Sequence, residues 1–290
     1  MSATTTPEIT TRTHGTTDTS SGVSGAPGEP ATREEARRQK RIPLTRLVWV
    51  EFTKMFDTRA GFWLLAAIGI LAVIATVSVI LFAPDEAIAY ESFAPAVGIP
   101  MSVILPVIAI LSVTSEYGQR TALSTFTLVP RRGRVIAAKA IVILTIGVVG
   151  MLVALGVGAL GNLLGAGIKG LDPVWGMNLT QFVNIILANV LGMAIGFMLG
   201  VLIRNSPGAI VGYFVYSLVL PGIFSTLAAF QEWFRDLQPW VDVNFAIGRL
   251  FEQNEGLSGE MWAQLGVTSV IWIFVPMVVG LVILLRSEVK

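Results

Sequence analysis

Apolar residues in this chain do not alternate with polar ones. They gather in six long runs separated by short charged links: Phe62–Phe82, Phe93–Val113, Ile141–Leu164, Phe182–Ile203, Ala209–Phe230 and Leu265–Leu285. No Asp, Glu, Lys, Arg or His falls inside any of them. A bilayer core of about 30 Å needs about 20 apolar residues of helix, so each run is long enough to cross one. The pattern predicts an all-α membrane protein, a six-helix transmembrane bundle. Pro95, Pro100 and Pro106 interrupt the second run. Proline removes a backbone donor and clashes with the preceding turn, so this helix is expected to be kinked or broken.

Ahead of the first run the pattern changes twice. Residues 1–31 are rich in Thr, Ser, Gly and Pro and have little apolar surface to bury, which predicts disorder. Thr32-Arg33-Glu34-Glu35 reads as a capping box opening a short helix with the basic cluster Arg37, Arg38, Lys40 and Arg41. Residues 1–43 thus form a tail, and 44–290 the membrane domain. From 44 to 59, Leu44, Leu47, Val48, Phe52 and Met55 recur at helical spacing, with Arg46, Lys54 and Asp57 off that face. This predicts an N-terminal amphipathic helix lying in the membrane interface; a simple extension of the first span is the alternative.

Between the runs, Arg204-Asn205-Ser206-Pro207-Gly208 reads as a tight helical hairpin. The link 231–262 is the longest. Trp233, Trp240 and Trp262 suit a membrane–water boundary, and one or two short helices are expected there. Ala188, Gly192, Gly196 and Gly200 recur every four residues, a ridge of small side chains against which another helix can pack closely. Packing within the chain is the expected use, and a subunit interface is the alternative. No internal repeat stands out.

Composition agrees with the pattern. The 290 residues are 53% hydrophobic and 13% charged, against roughly 25% charged in a soluble domain. Charge also sets orientation, because basic residues accumulate on the cytoplasmic side. Six crossings put both termini on one side, and 17 of the 20 Lys and Arg residues then share it. Only Lys169, Arg235 and Arg249 fall opposite. The expected location is the plasma (cytoplasmic) membrane, with both termini inside.

Several chemistries drop out. With no cysteine there are no disulfides, thiol nucleophiles or thiolate metal sites. The lone histidine, His14, lies in the polar tail. No carboxylate or base lies within a run, which argues against an ion-coupled carrier or an intramembrane protease. Asn162, Asn184 and Asn189 are the strongest polar groups there and are expected to hydrogen-bond between helices. No phosphate-binding Gly-x-x-x-x-Gly-Lys-Ser/Thr loop is present. Leu257-Ser258-Gly259-Glu260 breaks from the transport-ATPase signature at its acid and falls on the outer side. No catalytic residue, cofactor, metal or nucleic-acid partner is expected.

What remains is a charged link between the second and third runs. Ser115-Glu116-Tyr117-Gly118-Gln119-Arg120-Thr121 leaves one helix, and Pro130, Arg131, Arg132, Arg134 and Lys139 lead into the next. On charge alone it reads either as a grip for a soluble partner or as ordinary positive-inside flanks. Glu116, Tyr117, Gly118, Arg120 and Thr121, followed by Pro130, Arg131, Arg132 and Lys139, resemble the pattern of type-2 ATP-binding-cassette (ABC-2) transporter permeases. Here Gly118 and Thr121 are separated by two residues, where many relatives have them adjacent. Glu51-Phe52-Thr53-Lys54 with Arg59 likewise resembles the N-terminal interface helix of that family. The topology extends the resemblance over 44–290. It implies a permease subunit of an exporter, coupled through this link to a separate ATPase subunit. A second permease subunit, identical or not, would complete the pathway, with membrane lipid around it. A membrane scaffold or channel-forming interaction protein is the alternative, and co-purification with an ATPase separates the two.

Overall fold

A computed structural model of the chain describes residues 43–57, 59–118, 132–252 and 256–286. Residues 1–42 of the predicted tail, with its basic helix, lie outside the described residues. The rest is helical: α1 Leu44–Asp57, α2 Arg59–Phe82, α3 Tyr90–Gly118, α4 Arg132–Lys169 and α5 Leu179–Ile203. There follow α6 Ser206–Phe230, α7 Glu232–Val241, α8 Val243–Glu252 and α9 Gly259–Arg286.

Five helices are long and apolar enough to cross a membrane: α3, α4, α5, α6 and α9. The chain is therefore a multi-pass membrane protein. The first predicted crossing falls on α2, Arg59–Phe82, whose described apolar stretch is Ala66–Phe82. Five of the six predicted crossings are thus found among the described residues. Several helices overrun their apolar runs, because helix ends follow capping and backbone bonding rather than hydropathy. α4 starts at Arg132 and ends at Lys169, beyond the predicted 141–164. α9 starts at Gly259, where the Ser258 side chain accepts a hydrogen bond from Met261 N at 3.2 Å.

The α5–α6 hairpin has the expected chemistry. Asn205 caps α6 by accepting from Gly208 N at 2.9 Å, and Pro207 occupies the first turn, where its missing N–H is harmless. Arg204 makes the reversal in a left-handed conformation (φ 55°), which costs a residue with a Cβ about 1–2 kcal/mol.

The centre of the bundle is α3 packed on α5 and α4. Met101, Leu105, Ile108, Met151, Leu155 and Met193 are buried together there. α3 runs unbroken through Pro95, Pro100 and Pro106, so of the two expectations, a kink or a break, the break does not occur. Neighbours supply what proline withholds. Pro106 offers no N–H to the Ser102 carbonyl four residues back. The Tyr213 hydroxyl of α6 donates to that oxygen instead, at 2.7 Å. A buried carbonyl left without a donor costs about 1–3 kcal/mol, so this bond helps hold α6 to α3.

The glycine ridge of α5 lies on the same stretch of α3. A Cβ at Gly196 would overlap the Pro106 carbonyl oxygen and lie 2.9 Å from that residue's Cα. At Gly200 it would meet Ile110 O at 3.2 Å, and at Gly192 only Pro106 Cγ at 3.6 Å. The ridge thus serves packing within the chain. The asparagines differ from expectation. Asn189 donates to Ile185 O of its own helix at 2.9 Å, and Asn162 donates to Val174 O of the following link at 3.0 Å. Asn184 Nδ2 is buried with no hydrogen-bond partner. Short side chains on a helix reach their own backbone more readily than a neighbouring helix.

Candidate functional site

Three of the residues flagged by sequence, Glu51, Lys54 and Lys139, meet where α1 packs on α4. α1 buries Leu47 and Glu51, one turn apart, against α4. The buried face is therefore shifted from the predicted apolar stripe: Leu44 is exposed, while Val48, Phe52 and Met55 are half-buried. An acid takes the place of an apolar residue at the centre of the contact.

Its partner is Lys139. The Lys139 Nζ donates to Glu51 Oε2 at 2.6 Å, and Lys54 Nζ donates to Oε1 at 2.8 Å. Glu51 is 8% exposed and Lys139 5% exposed, so this pair is withdrawn from water. Burial alone pushes the Glu51 carboxyl up; the charge and hydrogen bond of Lys139, aided by Lys54, overcome that and hold it below its usual value of 4.5. Lys139 lies two turns into α4, among the buried Val135, Ile136, Ala138, Val142 and Ile143. The sequence places Lys139 at the close of a surface link, whereas its ammonium is inside the protein. A lysine this deep requires a counter-charge, and helix register brings Glu51 to it.

The rest of the predicted link is placed unevenly. Tyr117 is half-buried against the α3 core, and Gly118 ends α3. Glu116 lies in the last turn of α3 and Arg132 begins α4, but their side chains lie outside the described residues. Arg120, Thr121, Pro130 and Arg131 lie wholly outside them. Lys54 of α1 joins the Glu51 pair; Arg59 begins α2, its side chain also undescribed. The convergence of Glu51 with Lys139 was not anticipated. Its signal was present: Lys139 stands alone between Ala138 and Ala140 in an apolar stretch, and Glu51 is the single acid in 44–56.

Beside the ion pair, α1 and α4 leave an open groove of about 460 Å³. Leu44, Val48, Trp49 and Phe52 form one wall, and Ile141, Val142 and Thr145 the other. It is apolar.

In comparison with known proteins, the chain matches no family model and has no significant match among curated sequences.

Proposed function

We propose that the chain is the permease subunit of an ATP-binding-cassette exporter, set in the cytoplasmic membrane with both termini inside. In this reading α2 is a sixth span: its 24 residues are about 36 Å long, enough for a hydrocarbon core of about 30 Å. α1 lies in the inner interface, and the groove beside it holds a lipid chain. ATP is hydrolysed by a separate ATPase subunit, and a second permease subunit completes the pathway.

The observation that carries the reading is the buried Glu51–Lys139 pair. Residues 119–131 join α3 to α4, and Lys139 follows seven residues after Arg132, about 10 Å along a rigid helix. A displacement applied to the link by a partner is passed through α4 to Lys139, and through the ion pair to α1. Glu116, Tyr117, Gly118, Arg120, Thr121, Pro130, Arg131 and Arg132 are the proposed partner contacts. Lys139 and Glu51 are instead the joint behind them.

The test is the double variant Glu116→Ala with Arg131→Ala. Membrane insertion is expected to persist, since neither residue falls within an apolar run. Co-purification with the candidate ATPase is expected to weaken. Truncating a charge-assisted contact at a buried interface costs on the order of 2–5 kcal/mol. Unchanged binding, together with unchanged substrate-stimulated ATP hydrolysis in lipid vesicles, would remove this link from the mechanism and favour the scaffold reading.

Orientation is tested separately, and the absence of native cysteine makes labelling unambiguous. Single cysteines at the exposed Asp85 and Asp236 are expected to react with an impermeant thiol reagent in intact cells, and one at the exposed Arg46 only after lysis. Asp242, which sequence places in the same outer link, is 2% exposed and would report nothing. Labelling at position 46 from outside would invert the topology.

A further inference from the structure

Two membrane helices carry a π-helical stretch, Val215–Val219 in α6 and Val270–Phe274 in α9. The two share a sequence frame: valine, five residues, proline, as Val215 to Pro221 and Val270 to Pro276. The residue before each proline donates its N–H five positions back, Leu220 to Val215 O and Val275 to Val270 O. The proline itself donates nothing. Each frame thus disturbs the helical ladder at a defined point, and in α6 the Tyr216 carbonyl is passed over.

Both stretches are held by one elbow. From the first turn of α8, Asn244 Nδ2 donates to the passed-over Tyr216 carbonyl at 3.1 Å. From α9, Trp272 Nε1 donates to Val241 O at 2.6 Å. The Tyr216 and Trp272 rings meet edge to face with centroids 5.5 Å apart. Asp242 stiffens the elbow from within: Oδ1 accepts from Asn244 N at 3.0 Å and Phe245 N at 3.1 Å, and Oδ2 accepts from Gln238 Nε2 at 3.1 Å. A π stretch is a known place for a helix to bend or change pitch.

We propose that Val241–Asn244 is a clasp that ties the two π stretches together, so that α6 and α9 bend there as one unit with the α7–α8 pair. This goes beyond the exporter reading and does not depend on it. The clasp replaces, from a third element, the backbone bond that the proline of α6 removes.

The experiment is a double-mutant cycle on the full chain in detergent micelles, read by thermal unfolding and by hydrogen exchange of the backbone amides. Asn244→Ala is expected to lower Tm by about 2–4 °C, the shift that 1 kcal/mol brings in a chain of this size. Pro221→Ala restores an N–H to the α6 ladder, so in that background Asn244→Ala is expected to cost almost nothing. Trp272→Phe, which keeps the ring but loses its donor, is expected to speed exchange at Val215–Leu220 in the other helix by about tenfold, by local opening. Additive effects of Asn244→Ala and Pro221→Ala would overturn the clasp, as would exchange that rises only in α9 on Trp272→Phe. Should Asn244→Ala fail to fold, Asn244→Leu removes the donor at similar volume without adding a charge beside Asp242, and enters the same cycle with the same expectation.

Discussion

Gly196→Ala is expected to force α3 and α5 apart and destabilise the bundle. The added methyl would fall on the backbone of Pro106, including its carbonyl oxygen, and no rotamer change can move backbone aside. α3 and α5 would have to separate, loosening the core around Leu105, Met193 and Val201. Overpacking of this kind costs about 3 kcal/mol at the upper end of its usual range, which exceeds the gain of about 1 kcal/mol that alanine brings to a helix. The neighbours grade the effect. Gly200→Ala meets Ile110 O at 3.2 Å and is expected to be intermediate, while Gly192→Ala meets only Pro106 Cγ at 3.6 Å and is expected to be neutral or slightly stabilising. Monodisperse yield after extraction, with Tm, checks all three. Wild-type behaviour of Gly196→Ala would mean that α5 does not meet α3 at Pro106.

The second large effect belongs to Lys139. Lys139→Met leaves the buried Glu51 carboxylate with Lys54 as its remaining cation among the described contacts. Removing one partner of a buried pair commonly costs about 3–5 kcal/mol, and Lys54 places this case near the lower figure. Glu51→Leu combined with Lys139→Met is expected to recover most of the loss, because apolar replacement of both partners removes the desolvation penalty as well. The pH dependence has a definite sign. The folded carboxyl of Glu51 is held below 4.5, so its contribution is fully present above that pH and is lost as pH falls through the lower folded value. Glu51→Gln is expected to flatten this part of the profile. Thermal unfolding across pH 3–7 measures it, and equal acid sensitivity of wild type and Glu51→Gln would assign the transition to other groups. The double variant also separates structure from transmission: it restores stability without restoring the ionic link, so under the proposed mechanism it folds yet couples poorly to the ATPase.

Much of the architecture could be read directly from the sequence, and what escaped has a common cause. Continuous apolar runs locate the crossing helices because hydrocarbon selects for them over 20 residues at a time. The α5–α6 hairpin was equally clear, since Asn205, Pro207 and Gly208 act within one turn. The shape of α3 was not, because whether Pro106 breaks a helix depends on a donor from α6, more than 100 residues away. The ridge of α5 was visible as a period of four, but its three glycines look alike until Pro106 is seen under Gly196. In the candidate site, Glu51 entered through a family resemblance and Lys139 through the charge of its link, and nothing local joins residues 88 positions apart. The matching valine-to-proline frames of α6 and α9 are too short to register as a repeat. They acquire meaning only once the π stretches are seen.

α4 has a mechanical consequence of its own. Its 38 residues make a rod about 57 Å long, nearly twice the thickness of the hydrocarbon layer. Lys139 pins one end to α1, and Lys169, which donates to Asp85 at 2.6 Å and to Ala83 O at 3.1 Å, pins the other to the link after α2. The two pins are 30 residues apart, or about 45 Å. A tilt of only ~10° about the Lys139 end would carry the Lys169 end sideways by roughly 8 Å, more than a helix radius. Under the proposed coupling the rod would work as an amplifier. A small angular input near Glu51 would become a large linear stroke at Asp85, and the Lys169–Asp85 contact is the place to look for that stroke.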